Sequence, residues 1–410
     1  MKVGSARYCI SPKEKEFYLL GYKTPLRNRP ADGIHDDIYC NSLLFDNGNQ
    51  QVFLLSADLL EVEDEFVEEV KTRLNETYQI PRDHIIICVT HTHHSIRDFH
   101  KSWEFGKFNQ AYYDFLIDTI VQSYATCQAN LQEASAKYGK KTIVGYYSNR
   151  IHKGKLADNE VIVVTFYDKE NKPFAGIVNW AVHSTVLDGN NTFLSGDLAG
   201  QTCEKLGKKW GYYPVMVVGA AADCSTKYDR QGRDFAELER VSNGLAEAIS
   251  EIPVTVPLEL GEVRYQTLSH AIYPNISKYH SHLHKTIEEI KSGKIKPSGF
   301  PPEKLIEKCE NQLKVNHFGL LLQFEVLIIG NLLFYVFPGE LGSKFGIQLK
   351  SATKKLGIVA GYANGFHHYF LPEEDYGLSF ETIGNPIPPG EPEKIITKFI
   401  QSAKLLENAD

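Results

Sequence analysis

The sequence predicts an α/β protein with a central mixed β-sheet flanked by helices. Short apolar runs of strand length, such as residues 85–89, alternate along the chain with longer segments whose apolar residues recur at helical spacing. Residues 51–57, 62–74 and 85–89 follow one another as strand, helix and strand, an order typical of a βαβ unit with a right-handed crossover. The turn signal at residues 46–49 instead predicts an antiparallel hairpin, so the sheet should contain both kinds of strand pair.

The other elements follow from the same two patterns. Strands are predicted at residues 39–45, 51–57, 85–89, 141–147, 160–167, 175–182, 214–218, 258–268, 318–329, 332–337 and 358–362. Helices are predicted at residues 62–74, 109–131, 200–210, 235–252, 341–356 and 392–405. Residues 1–36 contain several Pro and Gly residues and are predicted to be irregular. No internal repeat is visible.

Residues 277–316 differ from the rest of the chain in composition. They are rich in Lys, Glu and His and contain a Pro/Gly break at residues 297–302. We interpret them as a helical insertion, or lid, near the active site of a single domain spanning residues 1–410. On a helix only His280 and His284 of the three histidines at 280, 282 and 284 share a face, which favours a solvated surface over a second metal site.

Composition narrows the class of partner. The chain has 410 residues, of which 42% are hydrophobic and 23% charged, as in ordinary globular proteins. Its net charge of −7 argues against nucleic acid or an anionic membrane surface as the main partner, which leaves a small-molecule substrate. A homo-oligomer remains possible.

Cysteine usage and hydropathy bear on location. The 7 cysteines are odd in number and lack paired short spacings, which indicates reduced thiols. No run approaches eighteen apolar residues and the start of the chain has no signal-peptide core, so we expect no stable membrane insertion and a cytoplasmic protein.

The predicted strand at residues 85–89 leads into Thr90-His91-Thr92-His93-His94. In an extended chain His91 and His93 point to the same side, so both could bind one metal ion, or one could bind metal and the other substrate. The alternative is a pair of polar residues where a strand leaves the core. Ligand sites in α/β proteins lie beyond the carboxyl ends of strands, which favours the functional interpretation.

Four further segments place reactive side chains at strand ends. They contain, in order, His183 with Asp197, Ser225 after three alanines, Glu340 after Pro338-Gly339, and His368 with Tyr369. Taken singly, such a His is more often a structural residue, and such a Glu an acid at a helix start. Together they offer the imidazole and carboxylate ligands that zinc prefers, and a catalytic zinc site keeps one position for water or substrate.

The order of these motifs resembles that of the catalytic domain of the neutral, non-lysosomal ceramidases, zinc amidases that cleave the N-acyl bond of ceramide. The matching motifs are Gly33-Ile34-His35, Ser56-Ala57-Asp58, Thr90 to His94, Asn149-Arg150, Asn179 to His183, Ser195-Gly196-Asp197, Asp223 to Ser225, Pro338-Gly339-Glu340, Asn364 to Tyr369 and Pro372-Glu373-Glu374. They run in the same order from about residue 20 to residue 380.

The resemblance implies a role for each site residue. The implied zinc (Zn²⁺) ligands are His91, His183, Glu340 and Tyr369. The implied catalytic residues are His93 as proton-transferring group, Arg150 facing the substrate carbonyl, and Ser225 as nucleophile or hydrogen-bond partner of the substrate. The expected substrate-binding or supporting residues are His35, Asp197 and His368.

Two departures from the family pattern bear on mechanism. Thr226-Lys227 replaces the Pro-Asn pair that follows the family's serine, and Phe380 replaces a tyrosine that precedes a Glu, here Glu381. If that tyrosine steadies the oxyanion, its role passes to Tyr376 or Arg150; loss of one such donor costs on the order of a hundredfold in rate.

The sequence therefore predicts a zinc-dependent hydrolase, an amidase that acts on ceramide or on a more polar substrate. The polar composition of residues 277–316 favours the more polar one, and the C-terminal β-sandwich of full-length ceramidases is not expected. Two alternatives stay open: a metal-assisted lyase or glycoside-cleaving enzyme with Tyr369 or His93 as base, and an inactive metal-binding homologue.

Overall fold

The computed structural model describes residues 1–295 and 301–409. The strands within them are β1 (Lys2–Cys9), β2 (Leu19–Leu20), β3 (Gly33–Ile34), β4 (Tyr39–Asp46), β5 (Gln51–Ala57), β6 (Ile85–Val89), β7 (Ser95–Ile96), β8 (Gln132–Glu133), β9 (Ser135–Thr142), β10 (Ser148–Asn149), β11 (Glu160–Tyr167), β12 (Pro173–Trp180), β13 (Phe193–Leu194), β14 (Val215–Val218), β15 (Cys224–Ser225), β16 (Val256–Leu258), β17 (Val263–Ile272), β18 (Leu320–Ile329), β19 (Leu332–Val336), β20 (Gly339–Leu341), β21 (Leu356–Ala360) and β22 (His367–Phe370). The α-helices are α1 (Asp64–Tyr78), α2 (Gln110–Ala129), α3 (Asp197–Trp210), α4 (Phe235–Ser250), α5 (Ile276–Lys291), α6 (Pro302–Gln312), α7 (Ser343–Lys350) and α8 (Glu391–Glu407).

Most of these strands belong to three sheets. Their strand orders are β6-β5-β4-β1-β8, β14-β12-β11-β9-β16 and β17-β18-β19-β21. Each sheet is antiparallel except for one parallel pair at an edge, formed by β5 with β6, β12 with β14, and β19 with β21. The predicted α/β class with mixed pairing is confirmed, but the strands are divided among three sheets rather than joined in one central sheet.

The three sheets share one topology that the sequence does not reveal. Each begins with three antiparallel strands in chain order and continues through a helix to a fourth strand that is parallel to the third. The three units are β1-β4-β5-α1-β6, β9-β11-β12-α3-β14 and β17-β18-β19-α7-β21. The predicted βαβ unit is thus one of three equivalent crossovers.

The three parallel edge strands meet at the centre of the molecule. Ile86 of β6, Val217 of β14 and Ile358 of β21 are buried in one hydrophobic cluster. At their carboxyl ends, Gly361 N donates to Val218 O over 3.0 Å and Val89 N donates to Tyr362 O over 3.2 Å. The ends of strands from three different sheets are therefore adjacent, which is where α/β proteins place ligand sites.

Two N-terminal strand predictions were wrong. Residues 1–36 are not irregular throughout, because β1 pairs along its whole length with β4. Its residues mix polar, small and apolar types and half of them are partly buried, so no apolar alternation marks the strand. The strand predicted at residues 141–147 is instead β9, which ends at Thr142; Ile143 and Tyr147 leave the sheet and join the hydrophobic core.

Two C-terminal predictions also need correction. The helix predicted at residues 341–356 is the shorter α7, since the chain must turn before Leu356 to begin β21 beside β19. The strand predicted at residues 258–268 is divided into β16 and β17, which pair in different sheets.

The predicted insertion consists of α5 and α6, which pack around Leu283, Leu305 and Cys309. The Pro/Gly break predicted at residues 297–302 lies mostly outside the described residues. His280 hydrogen-bonds to Val315 O over 2.8 Å, while His282 and His284 are exposed, in keeping with the predicted solvated helix face. None of the described helices combines the length and apolar character needed to cross a membrane.

Candidate functional site

The side chains expected to bind metal lie at neighbouring strand ends. His91 follows β6, His183 follows β12, and Glu340 lies in the short strand β20 after β19. Tyr369 lies in β22, which runs parallel to β20 and pairs Tyr369 with Glu340. The ends of strands from the larger sheets and the short β20–β22 pair therefore bring together four residues that are far apart in sequence.

Distances within this group are short. His183 Nε2 is 3.1 Å from Glu340 Oε2, and His91 Nε2 is 3.7 Å from Glu340 Oε1. The ring centroids of His91 and His93 are 5.0 Å apart. One ring nitrogen from each of His91, His93 and His183 lies within 4.8 Å of the other two, so this triad could hold a metal ion. We call His91, His93, His183 and Glu340 the central cluster.

Backbone carbonyls orient two of the imidazoles. His91 Nδ1 is 2.7 Å from Leu60 O, and His183 Nδ1 is 2.8 Å from Ala221 O. Each Nδ1 therefore carries the proton that it donates, which leaves the Nε2 lone pair of the neutral ring free. Both Nε2 atoms are buried without a hydrogen-bond partner in the described structure. These two Nε2 atoms beside a carboxylate are suited to bind a cation. Histidines that bind metal through one ring nitrogen are commonly oriented by a hydrogen bond from the other, as Nδ1 is here.

Two tyrosines contact the carboxylate of the central cluster. Tyr362 Oη donates to Glu340 Oε2 over 3.1 Å, and Tyr369 also hydrogen-bonds to Glu340. The Tyr362 ring lies 4.2 Å from the ring of His91. Glu340 thus accepts hydrogen bonds from two phenols, and its two oxygens face the two imidazoles.

Burial sets the protonation of the central cluster. It lowers the pKa of His91 to about 3, against the opposing influence of Glu340. Burial also lowers the pKa values of His93 and His183 far below the usual value, and raises that of Glu340. The imidazoles are consequently neutral at pH 7, the form that binds metal.

Arg150 lies beside this cluster in a buried ion pair. Its Nε is 2.9 Å from Glu381 Oε1, and the two side chains are only 16% and 5% exposed. Its Nε also donates to Ala222 O over 2.9 Å, whereas its Nη2 is buried without a partner in the described structure. Burial opposes the charge, but Glu381, Tyr369 and Glu340 together hold the pKa of Arg150 above its usual value. A permanent cation with a spare donor therefore faces the site.

Ser225 is buried in β15, which pairs with β10 next to Arg150. Its Oγ accepts a hydrogen bond from Lys227 N over 3.2 Å. Lys227 Nζ donates to Arg150 O over 3.1 Å. The Thr226-Lys227 departure is thus accommodated by contacts that hold both Ser225 and the loop of Arg150.

His35 and Asp197 do not join the central cluster. The His35 ring stacks on Phe235 with centroids 3.5 Å apart, and its Nδ1 lies 2.7 Å from Asp36 Oδ1. Asp197 is fully buried and accepts hydrogen bonds from Val186 N and Leu187 N. Asp197 thus supports the loop that follows His183, as the supporting role expected for it requires, and His35 lies on an exposed face beside α4. A substrate-binding role for either residue stays a prediction.

His368 and Tyr376 lie farther out. His368 is exposed and its ring is 5.6 Å from that of Phe318. The Tyr376 hydroxyl is buried without a partner in the described structure, and besides burial Glu393 and Glu391 raise its pKa. Tyr376 thus faces the start of α8, so of the two expected oxyanion donors the geometry favours Arg150.

Sequence reasoning missed Tyr362, Glu61 and Lys308. Tyr362 is two residues beyond β21, as His91 is two residues beyond β6, and both have positive φ, of 53° and 59°. Recognition of the threefold topology would have singled it out. Glu61 follows Leu60, the carbonyl partner of His91. Lys308 lies on α6 of the predicted insertion and donates to Phe380 O beside Glu381. Neither residue belongs to a motif.

The fold and the central cluster define an α/β protein with a buried site suited to a metal ion. The profile of the family described as "Neutral/alkaline non-lysosomal ceramidase, N-terminal" matches residues 1–211, about half of the chain. The chain belongs to this neutral/alkaline ceramidase family.

Relatives and solved structures agree with this assignment. The chain is 25% identical over 225 residues to neutral ceramidase B and 23% identical over 221 residues to neutral ceramidase A, both of Dictyostelium discoideum. Each alignment covers 48% of this chain and 30% of the relative, so the chain spans only a part of those proteins.

Two solved structures share the fold over nearly the whole chain. A structure titled "Ceramidase complexed with C2" has a TM-score of 0.78 at 16% identity and covers 99% of this chain and 75% of its own. The neutral ceramidase from Pseudomonas aeruginosa has a TM-score of 0.75 at 18% identity, with coverages of 99% and 74%. At such identities the likeness establishes the fold.

Proposed function

We propose that this protein is a zinc-dependent amidase that hydrolyses the N-acyl bond of a ceramide-like or more polar substrate. The observation that carries the proposal is the convergence of two oriented, partnerless Nε2 atoms on one buried carboxylate. Zinc prefers this set of imidazole and carboxylate donors. Membership of the ceramidase family supports amide hydrolysis and a lipid-like substrate.

The residues that would hold zinc are His91, His183 and Glu340, with Tyr369 beside Glu340 as a fourth candidate. His93 completes the histidine triad and is an alternative ligand. When bound, the ion supplies a Lewis acid that polarises an acyl carbonyl and lowers the pKa of water.

His93 is the proton carrier in this proposal. Both of its ring nitrogens are buried without hydrogen-bond partners in the described structure, although the residue as a whole is only half-buried. A neutral imidazole at this place can accept a proton from the attacking water and return it to the leaving amine nitrogen.

Arg150 is the oxyanion donor. Its partnerless Nη2 can donate to the acyl oxygen, while Glu381 and Ala222 O fix the orientation of the guanidinium. A preorganised donor of this kind contributes about 3 to 4 kcal/mol to transition-state stabilisation. Ser225, whose Oγ accepts from Lys227 N, is the proposed hydrogen-bond partner of the substrate, and an attack by its hydroxyl is not needed.

The decisive experiment measures metal content before activity. Wild type should contain about one zinc ion per chain, and His91→Ala and His183→Ala should contain far less, because each removes a ligand of a four-ligand site. His84→Ala is the matched control, since His84 is equally buried but lies beside Gln51 O, away from the cluster.

Activity is then assayed on N-acyl sphingoid bases and on shorter N-acyl amines, with detection of the released amine. Treatment with a chelator should abolish turnover and added zinc should restore it. Full zinc content in both histidine variants, or undiminished turnover after chelation, would overturn the proposal. An ultraviolet-absorbing unsaturated product without free amine would instead indicate elimination.

A further inference from the structure

Lys308 reaches the candidate site from the helical insertion. It lies in α6, its Nζ donates to Phe380 O, and the same atom lies 4.2 Å above the centre of the Phe380 ring. Its aliphatic stem passes close to Gly384, where a Cβ would stand 3.5 Å from Lys308 Cγ. An ammonium group is thus directed toward the segment that carries Glu381.

The contacts of Lys308 leave its charge uncompensated. Within residues 1–295 and 301–409, no carboxylate lies within ion-pair distance of Nζ, whose hydrogen bond goes to a neutral carbonyl. The aromatic face of Phe380 provides a cation–π contact but carries no charge. An ammonium has three donors, so two remain for a ligand.

The charges of Lys308 and Arg150 both interact with the carboxylate of Glu381. Glu381 pairs with Arg150 over 2.9 Å, and it is also the charged group that acts most on Lys308. Two cations accompanied by one carboxylate carry a net positive charge. Glu340 also attracts both cations, but in the proposed zinc-loaded protein its charge would be offset by the ion that it binds with His91 and His183.

The electrostatics of the surroundings agree with this geometry. Burial lowers the pKa of Lys308 to about 8, despite the opposing effect of Glu381. Such a shift is expected for an ammonium that lacks a close anionic partner. An anion brought by the substrate would provide the missing charge, and in a poorly hydrated site this interaction is strong.

We propose that Lys308 is a specificity-determining residue that binds an anionic group of the substrate, and that the preferred substrate is an N-acyl amino acid. This inference rests on the proposed amidase function. In an N-acyl amino acid the carboxylate is separated from the amide by one carbon. With the acyl oxygen at Arg150 Nη2, the carboxylate would bind the ammonium of Lys308, whose Nζ donates to the residue that precedes Glu381.

The test compares two ligands that differ only in this group. N-lauroylglycine carries a carboxylate where N-lauroylethanolamine carries a hydroxymethyl group, and the acyl chains are identical. Dissociation constants are measured by calorimetry with the zinc-loaded full chain, below the concentrations at which the ligands form micelles. Wild type should bind N-lauroylglycine tenfold to a hundredfold more tightly, the range expected for a hydrogen bond between charged groups.

Three variants separate recognition from structure. Lys308→Met should abolish most of the preference by weakening N-lauroylglycine binding alone, and Lys308→Arg should retain it. Lys304→Met is the matched control, because Lys304 lies on the same helix, is 64% exposed and pairs with Glu307. If Lys308→Met fails to fold, the salt dependence of wild-type binding tests the inference instead. Only N-lauroylglycine should bind more weakly at high ionic strength.

Two results would overturn the inference: equal affinity of wild type for the two ligands, or an equal loss for both in Lys308→Met. The second result would mean that Lys308 only holds the Phe380 segment in place. Hydrolysis is measured in parallel. A binding preference without turnover would refute the amidase and leave the subsite intact, whereas turnover without a preference would refute only the subsite.

Discussion

Tyr362 donates a hydrogen bond to Glu340 over 3.1 Å, and its ring lies 4.2 Å from the ring of His91. Both backbone groups of Tyr362 are hydrogen-bonded: its N–H donates to Gly339 O and its carbonyl accepts from Val89 N. The residue therefore connects the strand end that carries His91 with the strand that carries Glu340. No other contact in the described structure joins one phenol to both of these side chains.

We predict that Tyr362→Phe weakens zinc binding by about tenfold to a hundredfold, the usual cost of removing a hydrogen-bond partner of a metal ligand. The isosteric change keeps the ring contact with His91 and removes only the donor to Glu340. Competition with a chromophoric chelator measures the affinity. Tyr112→Phe is the control, since its buried hydroxyl donates to Ile10 O away from the cluster. Equal zinc affinity in wild type and Tyr362→Phe would contradict the prediction.

A second prediction concerns Asn364, which attaches the loop of Tyr362 to β6. Its Oδ1 accepts from Ile87 N over 2.9 Å, and its Nδ2 donates to Ile85 O and to Glu325 Oε2. Its φ is 59°, in the left-handed region. Asn364→Gly should lower the free energy of unfolding by about 2 to 3 kcal/mol through lost hydrogen bonds.

Asn364→Ala should lower it by about 1 kcal/mol more, because a Cβ is unfavourable at this φ. Urea unfolding of the three proteins measures both differences. If the Gly and Ala variants are equally stable, backbone strain at this position makes no contribution.

The buried ion pair of Arg150 and Glu381 provides a third prediction. Either Arg150→Met or Glu381→Gln should lower the free energy of unfolding by about 3 to 5 kcal/mol, because each leaves the other partner buried and unpaired. The double variant should lose less than the sum of the two, and a double-mutant cycle measures this coupling. The pair Arg73 and Asp118 is the control, since its side chains are 39% and 70% exposed and its coupling should stay below about 1 kcal/mol.

The fourth prediction is a pH dependence at Glu61. Burial, followed by the charges of Glu340 and Glu63, raises the pKa of Glu61 to about 8 in the metal-free protein. Its ordinary pKa is near 4.5, so between these two values the folded state binds a proton that the unfolded state has released. The stabilisation that comes from this raised pKa is therefore fully present below pH 4.5. It is lost as the pH rises through 8, where Glu61 ionises in the folded state.

Glu61→Gln, which cannot ionise, should become progressively more stable relative to wild type from pH 5 to pH 8, with a smaller change above that range. Urea unfolding of the metal-free proteins at pH 5, 7 and 9 measures this difference. Glu76→Gln, at an exposed position of α1, should show no such trend. A constant difference across the range would mean that Glu61 is ionised throughout.

Strand prediction succeeded where apolar residues are buried on both faces and failed where they are not. β5, β6 and β11 consist mostly of buried apolar residues, and their predicted bounds agree with the structure. β1 and β9 mix polar and small residues and are only partly buried, because pairing with neighbouring strands rather than burial of their own side chains stabilises them. Local composition cannot report a hydrogen-bonding partner that lies far away in the chain.

Site prediction shows a similar division. His91, His183, Glu340 and Tyr369 were identified from motifs, and the structure brings them together. Their metal and roles stay predictions. The contacts of Asp197 with Val186 N and Leu187 N were invisible in the sequence, as was the approach of Lys308 from α6, since neither follows from a motif.

The sequence by itself determined which reactive side chains stand at the ends of buried strands, because hydrophobic periodicity and turn residues act over a few neighbouring positions. Only the tertiary structure decided that these ends belong to three equivalent sheets and meet at one point. That meeting depends on the packing of the inner faces around Ile86, Val217 and Ile358, a contact among residues that are distant in the chain. Burial at this junction also neutralises the imidazoles and leaves their Nε2 atoms without partners, and this makes the cluster suitable for a cation.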